Sequence, residues 1–535
     1  MKLMYLHLAK TITMKRIITL LSLFSAVSLS AQTWSGNVAS IVYNKCATCH
    51  HSGGIAPFSL MTYEEVEPMA SAMHNAIITG EMPPWPPDEN YQQYSHSRLL
   101  STAEKTTILN WLTNGAPEGI ASQTPPPPVF NIGSVLGTGD LTLQIPNYRS
   151  KAQGGQDDYV CFSIPTGLAA QRTIRAIEVI PGNREIVHHA LIYVDEDGTY
   201  PTDTVGGDCG GPQDAALITA YTPGSTPLVF PSGTGFKLGM NIPAGSNIIL
   251  AMHYPEGSYG LMDSTKVIFH FYPPTETGIR DVFAAPVLQN WSLVLPPNQV
   301  TTATAHYPPS GTLPIDISVL SVFPHMHLLG EKIKAYAIDP QGDTIKYANI
   351  PHWDFHWQDF YFFRHIQKTP AGSVIKGEAT YNNTVNNAHN PFNPPQLVVA
   401  GESTTDEMFM TYFHYMYYQP GDELYDLENM MSVGLSELSN ENNGDWKVYP
   451  VPFEETVTIQ HSELQSGDRV SLFVYDALGK VVKVLAENVE IGQQFTGFSW
   501  DGRNDAGTIV PKGVYYLSMN RNGEFSTGKA LVFNR

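Results

Sequence analysis

Apolar positions along the chain fall into three regimes. Between 33 and 122 the spacing predicts a compact helical block, clearest where Ile108, Leu109, Trp111 and Leu112 form one stripe. Ser101-Thr-Ala-Glu104 ahead of that stripe is a capping box, and Asn114-Gly115 supplies the stop. Pro125 to Pro128 then makes a stiff linker. From about 130 to 435 apolar and polar residues alternate in short segments, such as Leu141-Thr-Leu-Gln-Ile145 and Asn247 to Tyr254, broken by Gly, Pro and Asn. That length predicts two β-sandwiches. A polar stretch, Ser439 to Asp445, leads to a last block of short strands from Val448 to Arg535. No fixed-period repeat is present.

Length and composition agree with this division. A chain of 535 residues exceeds one ordinary core, so three or more domains are expected. Charged residues are 15%, with 44 Gly and 40 Pro, which favours short strands and turns over long helices. A formal net charge of -20 argues against a nucleic-acid partner, because nothing would neutralise phosphate. Lys15 and Arg16 precede the apolar run Ile17 to Val27 and small residues up to Ala31, which reads as an export signal over 1–31 with Met14 a better start than Met1. The protein is therefore expected to be secreted or attached to the cell surface. Of four cysteines, Cys46 and Cys49 belong to a motif of their own. Cys161 and Cys209 remain, and in an exported protein such a pair more readily forms a disulfide than two free thiols.

Cys46-Ala-Thr-Cys49-His50 is a c-type haem attachment sequence, in which two thiols add to the haem vinyl groups and the histidine binds iron. The bland alternative is a Cys-x-x-Cys redox pair with an accidental histidine. A methionine is expected as the sixth ligand. Met61, Met69, Met73 and Met82 are candidates, and Met82 is favoured because Gly80-Glu-Met-Pro-Pro-Trp-Pro-Pro87 forms a rigid loop. His51 and His74 are expected on the surface. Residues 35–120 resemble the small class I cytochrome c domains, with Met82 in the position of their ligand loop.

Six further residues stand out in the β region: His188 and His189 before a strand, His253 in Leu250-Ala-Met-His-Tyr254, His325 and His327 after Val319-Leu-Ser-Val-Phe, and Met408 in Thr404-Thr-Asp-Glu-Met408. Histidines two apart on a strand share a face and can grip one ion. Adjacent His188 and His189 point to opposite faces of a regular strand. They reach one metal only if the backbone twists there, or if one binds through Nδ1 and the other through Nε2. Each histidine alone is better explained by hydrogen bonding. Together they resemble the copper type II, ascorbate-dependent monooxygenases, the family of peptidylglycine α-hydroxylating and dopamine β-monooxygenases. The resemblance spans roughly 135–430. It implies an electron-transfer copper on His188, His189 and His253, and an oxygen-binding copper on His325, His327 and Met408. It also implies that Cys161 and Cys209 form one of the family's disulfides. Two imidazoles and a thioether suit Cu(I), since soft sulfur stabilises the softer ion.

The peptide-amidating branch holds a substrate carboxylate with an Arg and an Asn where this chain has Phe323 and Met410; Tyr412 matches a third contact. A glycine-extended peptide is thus not the expected substrate. In the tail, Val448-Tyr-Pro-Val-Pro-Phe453, Val474-Tyr-Asp-Ala-Leu-Gly479, Trp500-Asp-Gly-Arg-Asn504 and Gly513-Val-Tyr-Tyr516 resemble the sorting domain of the type IX secretion system. A structural or carbohydrate-binding sandwich is the alternative.

The expected fold is multidomain: a signal over 1–31, a small all-α cytochrome c domain over 33–122, a Pro-rich linker over 123–134, two all-β, jelly-roll-like copper sandwiches over 135–277 and 278–437, a linker over 438–447, and a C-terminal β-sandwich over 448–535. The expected activity is hydroxylation of a C–H bond in a small organic substrate with O2. It uses two copper ions and one covalent haem c, with the haem domain or an external ascorbate-like or protein donor supplying electrons. The competing expectation is a non-catalytic haem and copper electron-transfer or copper-binding protein. Met408 favours the enzyme, since a copper store needs no open oxygen site.

Overall fold

Strand propensity and alternation dominate beyond residue 140, and the computed structural model is accordingly built of β-sandwiches. It describes residues 32–431 and 446–533, except 53, 55, 126, 129–133, 155, 213–214, 234, 402, 451–452, 454, 462–463, 476–480, 493–494, 496, 506, 512 and 523. The export signal, half of the first linker and most of the second, Val451-Pro452 and Asp476 to Gly479 lie outside the described residues.

The first sandwich packs a seven-stranded sheet against a four-stranded one, in which Asn247–Tyr254 lies between Asp158–Pro165 and His189–Asp195. The short strand Ile279–Asp281 still belongs to it, running parallel to Phe236–Ile242. The second sandwich has two four-stranded sheets, and in one of them Ile317–His325 lies between Tyr361–Thr369 and Met410–Tyr417. The tail, Trp446–Phe533, forms a third sandwich around Trp500, whose ring meets Phe453 and Tyr515.

The strands that carry the histidines are buried along almost their whole length, and period-two geometry explains why. On Asn247–Tyr254, the residues Ile248, Leu250, Met252 and Tyr254 enter the core of the first sandwich. The alternating set, Ile249 and Ala251, faces the second sandwich and packs with Phe323, Met410 and Tyr412. His253 continues that outward set. The two inner sheets therefore meet face to face. Away from the histidines the contact is held by Arg280, which grips the buried Asp422 at 2.6 and 2.8 Å, and by Phe236 stacked on Tyr425 at 3.8 Å.

Helices cluster before residue 124. The helix Thr102–Thr113 starts on the expected capping box, with Ser101 N–H donating to Glu104 at 2.7 Å and Glu104 N–H to Ser101 Oγ at 3.2 Å. It buries Ile108, Trp111 and Leu112 against Trp34, Val38 and Val42. One segment departs from the expected self-contained block. Residues 85–98 leave it and line the edge of Tyr361–Thr369, where Ser95 N–H donates to Phe362 O (2.8 Å) and Arg364 N–H to Gln93 O (2.9 Å). Aromatic burial drives the excursion: Trp85 and Tyr94 pack on Tyr361, and Tyr94 Oη donates to Tyr347 O. The N-terminal block is thus docked on the second sandwich before the Pro-rich stretch begins.

Candidate metal centre

Three strands bring the first cluster together. Register places His253 directly between Tyr159 and His189. His188 precedes the strand His189–Asp195, in irregular backbone that pairs its N–H with His253 O at 3.0 Å. The two adjacent histidines are thereby freed from opposite faces, and the twisted backbone lets both present Nδ1. The Nδ1 of His189 lies 3.3 Å from that of His188 and 3.2 Å from that of His253. The second nitrogen of His253, Nε2, donates to Asp157 at 2.8 Å, which leaves its Nδ1 bare. Tyr159 stacks on the His253 ring at 4.2 Å and 6°.

Three Nδ1 atoms converge at these distances, and a cation among them would satisfy all three at once. Nitrogens 3.3 Å apart subtend roughly 105–110° at an ion about 2.0–2.1 Å from each, a normal angle for an imidazole-bound metal. Burial holds the imidazoles neutral. It pushes His188 down to about 4, aided by the nearby His356, and His189 and His253 well below their ordinary value. The donor set, the tautomer fixed by Asp157 and the convergence all fit copper.

The second cluster faces the first. His325 ends its strand opposite Met410, and His327 follows in the next turn, with ring centroids 5.1 Å apart and planes at 85°. Gln358 Oε1 takes the Nδ1–H of His325 at 2.6 Å, and Asp406 O takes that of His327 at 3.1 Å. The Ser403 backbone bonds the His327 ring as well. Burial lowers His325 and drives His327 down to about 3. Met408 is buried and lines the same cavity as both rings. The backbone that carries these ligands is tied by Glu407, which is fully buried and accepts N–H groups from His327 (2.9 Å), Leu329 (2.6 Å) and Met408 (3.2 Å). Burial raises its carboxyl to about 8, against the pull of those donors.

Both clusters open on one cavity of about 60 Å³ between the sandwiches, and His189, His325, His327 and Met408 all contribute to its wall. Phe323, Met410 and Tyr412 line it as well, with no Lys or Arg among its described lining residues. Asp157, Gln358 and Glu407, which hold these side chains and their backbone in place, escaped the sequence reading. Glu407 was the most findable, lying beside Met408 in the quoted Thr-Asp-Glu-Met stretch.

Cys161 and Cys209 are joined in a disulfide that fastens the loop beside Tyr159. Both thiols should resist alkylation in the native protein until reduced. Reduction should cost about 4 kcal/mol by freeing a loop of 48 residues. Alkylation of either residue before reduction would contradict the bond.

In the N-terminal block, Cys46 ends the helix Ala39–Lys45, and the N–H groups of Cys49 and His50 both bond to Cys46 O. The two thiols are not bonded to each other. His50 Nδ1–H donates to Phe58 O at 3.2 Å, leaving Nε2 free. Met61, Met69 and Met73 pack into the block's core, whereas half-buried Met82 stands outside that cluster. Among the described residues Met82 makes no polar contact with His50. His51 corrects its surface assignment: it is 7% exposed, with Nδ1 bonded to Ser52 O, and His74 is half-buried. A cavity of about 230 Å³ opens between Cys49, Trp85, Arg98, Gly224 and Phe360, where the N-terminal block meets the first and second sandwiches.

Residues 282–441 match the copper type II ascorbate-dependent monooxygenase C-terminal domain, and residues 453–524 match the FlgD Ig-like domain. The first match supports that monooxygenase family and a copper-dependent oxidoreductase. No curated protein matches the chain. Solved structures similar to parts of it include the VP2 subviral particle of infectious bursal disease virus, at 8% identity and a TM-score of 0.16, covering 57% of this chain and 77% of that one. The BSP domain of a biofilm associated protein follows at 10% and 0.13, covering 76% and 84%. Dimeric latent PorU from Porphyromonas gingivalis stands at 12% and 0.17, covering 71% and 34%. Scores of this size carry no argument.

Proposed function

We propose that this protein is a secreted copper monooxygenase that hydroxylates a C–H bond of a small organic substrate with O2. The observation that carries this reading is the pairing of two buried histidine clusters across one cavity, the second with Met408 in its wall. His188, His189 and His253 would hold one copper; His325, His327 and Met408 would hold the other. Bound there, copper supplies one-electron transfer and oxygen activation. The residues do the rest. Asp157, Gln358 and the Asp406 carbonyl fix which nitrogen each ring offers, while Phe323, Met410 and the apolar sheet faces exclude water. A lining without Lys or Arg leaves a substrate carboxylate no partner. The cavity of about 60 Å³ has room for several waters, each needing about 10–15 Å³ of it.

The test is oxygen uptake by copper-loaded protein with ascorbate, across small apolar and aromatic compounds, with product identified by mass. Uptake that depends on substrate and yields a mass gain of one oxygen supports the reading. A protein that binds copper but turns over nothing would favour the electron-transfer alternative.

The N-terminal block is proposed to carry one haem c on Cys46 and Cys49, with His50 and Met82 as axial ligands, and to supply electrons beside an external donor. The free Nε2 of His50 and the exclusion of Met82 from the core fit that donor set. The colour should survive acid-acetone extraction of periplasmically expressed protein, and Met82→Ala should lower the haem potential. Extractable haem would refute the thioether assignment. The tail is proposed as an address for type IX secretion. Deleting residues 446–535 should trap folded protein in the periplasm, and normal surface delivery of the truncated chain would mean it is no address.

A further inference from the structure

One loop of the second sandwich, between Thr344–Ile350 and Tyr361–Thr369, reaches both histidine clusters. Gln358 orients His325, and Asp359 pairs with Arg98 from the docked N-terminal segment at 3.0 Å. Between Asp354 and Gln358, His356 stands across the domain boundary against the other cluster. Its ring centroid is 5.5 Å from that of His188, at 77°. That separation matches the 5.6 Å between His188 and His189, two members of the cluster itself. Asp354 Oδ1 accepts both the backbone N–H of His356, at 2.9 Å, and its ring Nδ1–H, at 3.0 Å. The ring is thus oriented by a carboxylate, as Asp157 orients His253, and Nε2 is its free nitrogen.

We propose that His356 is a fourth imidazole of the His188, His189 and His253 centre, donated by the second sandwich to a metal held by the first. The proposal rests on the copper reading above. Cupric ion favours a tetragonal set of nitrogen or oxygen donors, so three histidines leave one position for a further donor. Cuprous ion imposes no such plane. His356 therefore serves the oxidised ion, and the centre is complete only while the sandwiches are closed on each other. Among the described residues, the three nitrogens that meet at one point are those of the first sandwich. His356 approaches from the side of His188, outside the three nitrogens that meet.

The test isolates that centre in a His327→Ala parent, with His325→Ala as a second parent in case the first does not fold. Each is loaded with one equivalent of Cu(II), and pulsed EPR counts the coordinated imidazoles. The expected count is four, falling to three when His356→Ala is added. Cu(II) affinity, measured by chelator competition, should fall about tenfold or more. His356→Gln should behave like the alanine variant, with the far-UV spectrum unchanged. Equal imidazole counts and equal affinities with and without His356 would overturn the proposal and leave the ring as a partner of Asp354 only. A parent that binds no Cu(II) would remove the copper reading and this inference with it, by a different signature.

Discussion

Met408→Ala is expected to abolish hydroxylation while the three-histidine cluster keeps its copper. Met408 supplies the soft donor of the proposed second site, beside His325 and His327, and its loss removes the preference for Cu(I). The backbone at Met408 is fixed on both sides. Met408 is 8% exposed; its N–H is held by Glu407, and its carbonyl accepts Tyr381 Oη at 2.8 Å, so the backbone cannot swing another group into place. Losing a ligand should exceed the roughly 100-fold effect of losing an outer partner. Metal analysis should give two coppers per chain in the wild type. In the variant, Cu(II) EPR should retain the signal of the His188, His189 and His253 site. Wild-type protein that saturates at one copper would sink the two-site arrangement, and an active Met408→Ala would remove the thioether from the chemistry.

The architecture was legible where pattern and period coincide. Alternation announced sandwiches, and Ser101 with Glu104 announced the helix that begins at Thr102. The candidate histidines stood out because each sits in a recognisable short stretch. What stayed hidden depended on contacts between distant segments. His188 and His189 converge because the strand begins at His189 and leaves His188 in irregular backbone, a detail that spacing alone left open between two solutions. Asp157 is 96 residues from His253, and Gln358 is 33 from His325; neither has a local signature. The docking of residues 85–98 was missed for a related reason. Pro83, Pro84, Pro86 and Pro87 read as a rigid loop, yet Trp85 and Tyr94 need an apolar surface that the helical block does not provide and the second sandwich does.

Burial of both faces of the inner sheets follows from the same geometry. Their outward positions carry His189, His253, Met410 and Tyr412, mixed with apolar residues such as Leu191, Tyr193 and Ala251 that close one sandwich on the other. The donor groups thus lie in the contact between two units rather than in the core of either. Their environment depends on how closely those units approach.

Glu407→Ala is expected to unfold the second metal cluster at its root. The side chain is fully buried and ties the turn that carries His327 to the strand that carries Met408, through three backbone N–H groups at 2.6 to 3.2 Å. Alanine would leave all three donors buried and unpaired. At about 1–3 kcal/mol for each orphaned group, with water entering the space to recover part of it, the loss should reach about 3–5 kcal/mol. Glutamine keeps one carbonyl oxygen as an acceptor, so Glu407→Gln should lose only about 1–2 kcal/mol. Urea unfolding of the copper-free protein measures both and separates the effect from metal binding. Copper should also leave the His325, His327 and Met408 site of the alanine variant, since two of its three ligands hang from the backbone that Glu407 holds. The first cluster, which shares no hydrogen bond with Glu407 among the described residues, should remain loaded. An alanine variant as stable as the wild type would show that the carboxylate holds neither the turn nor the site.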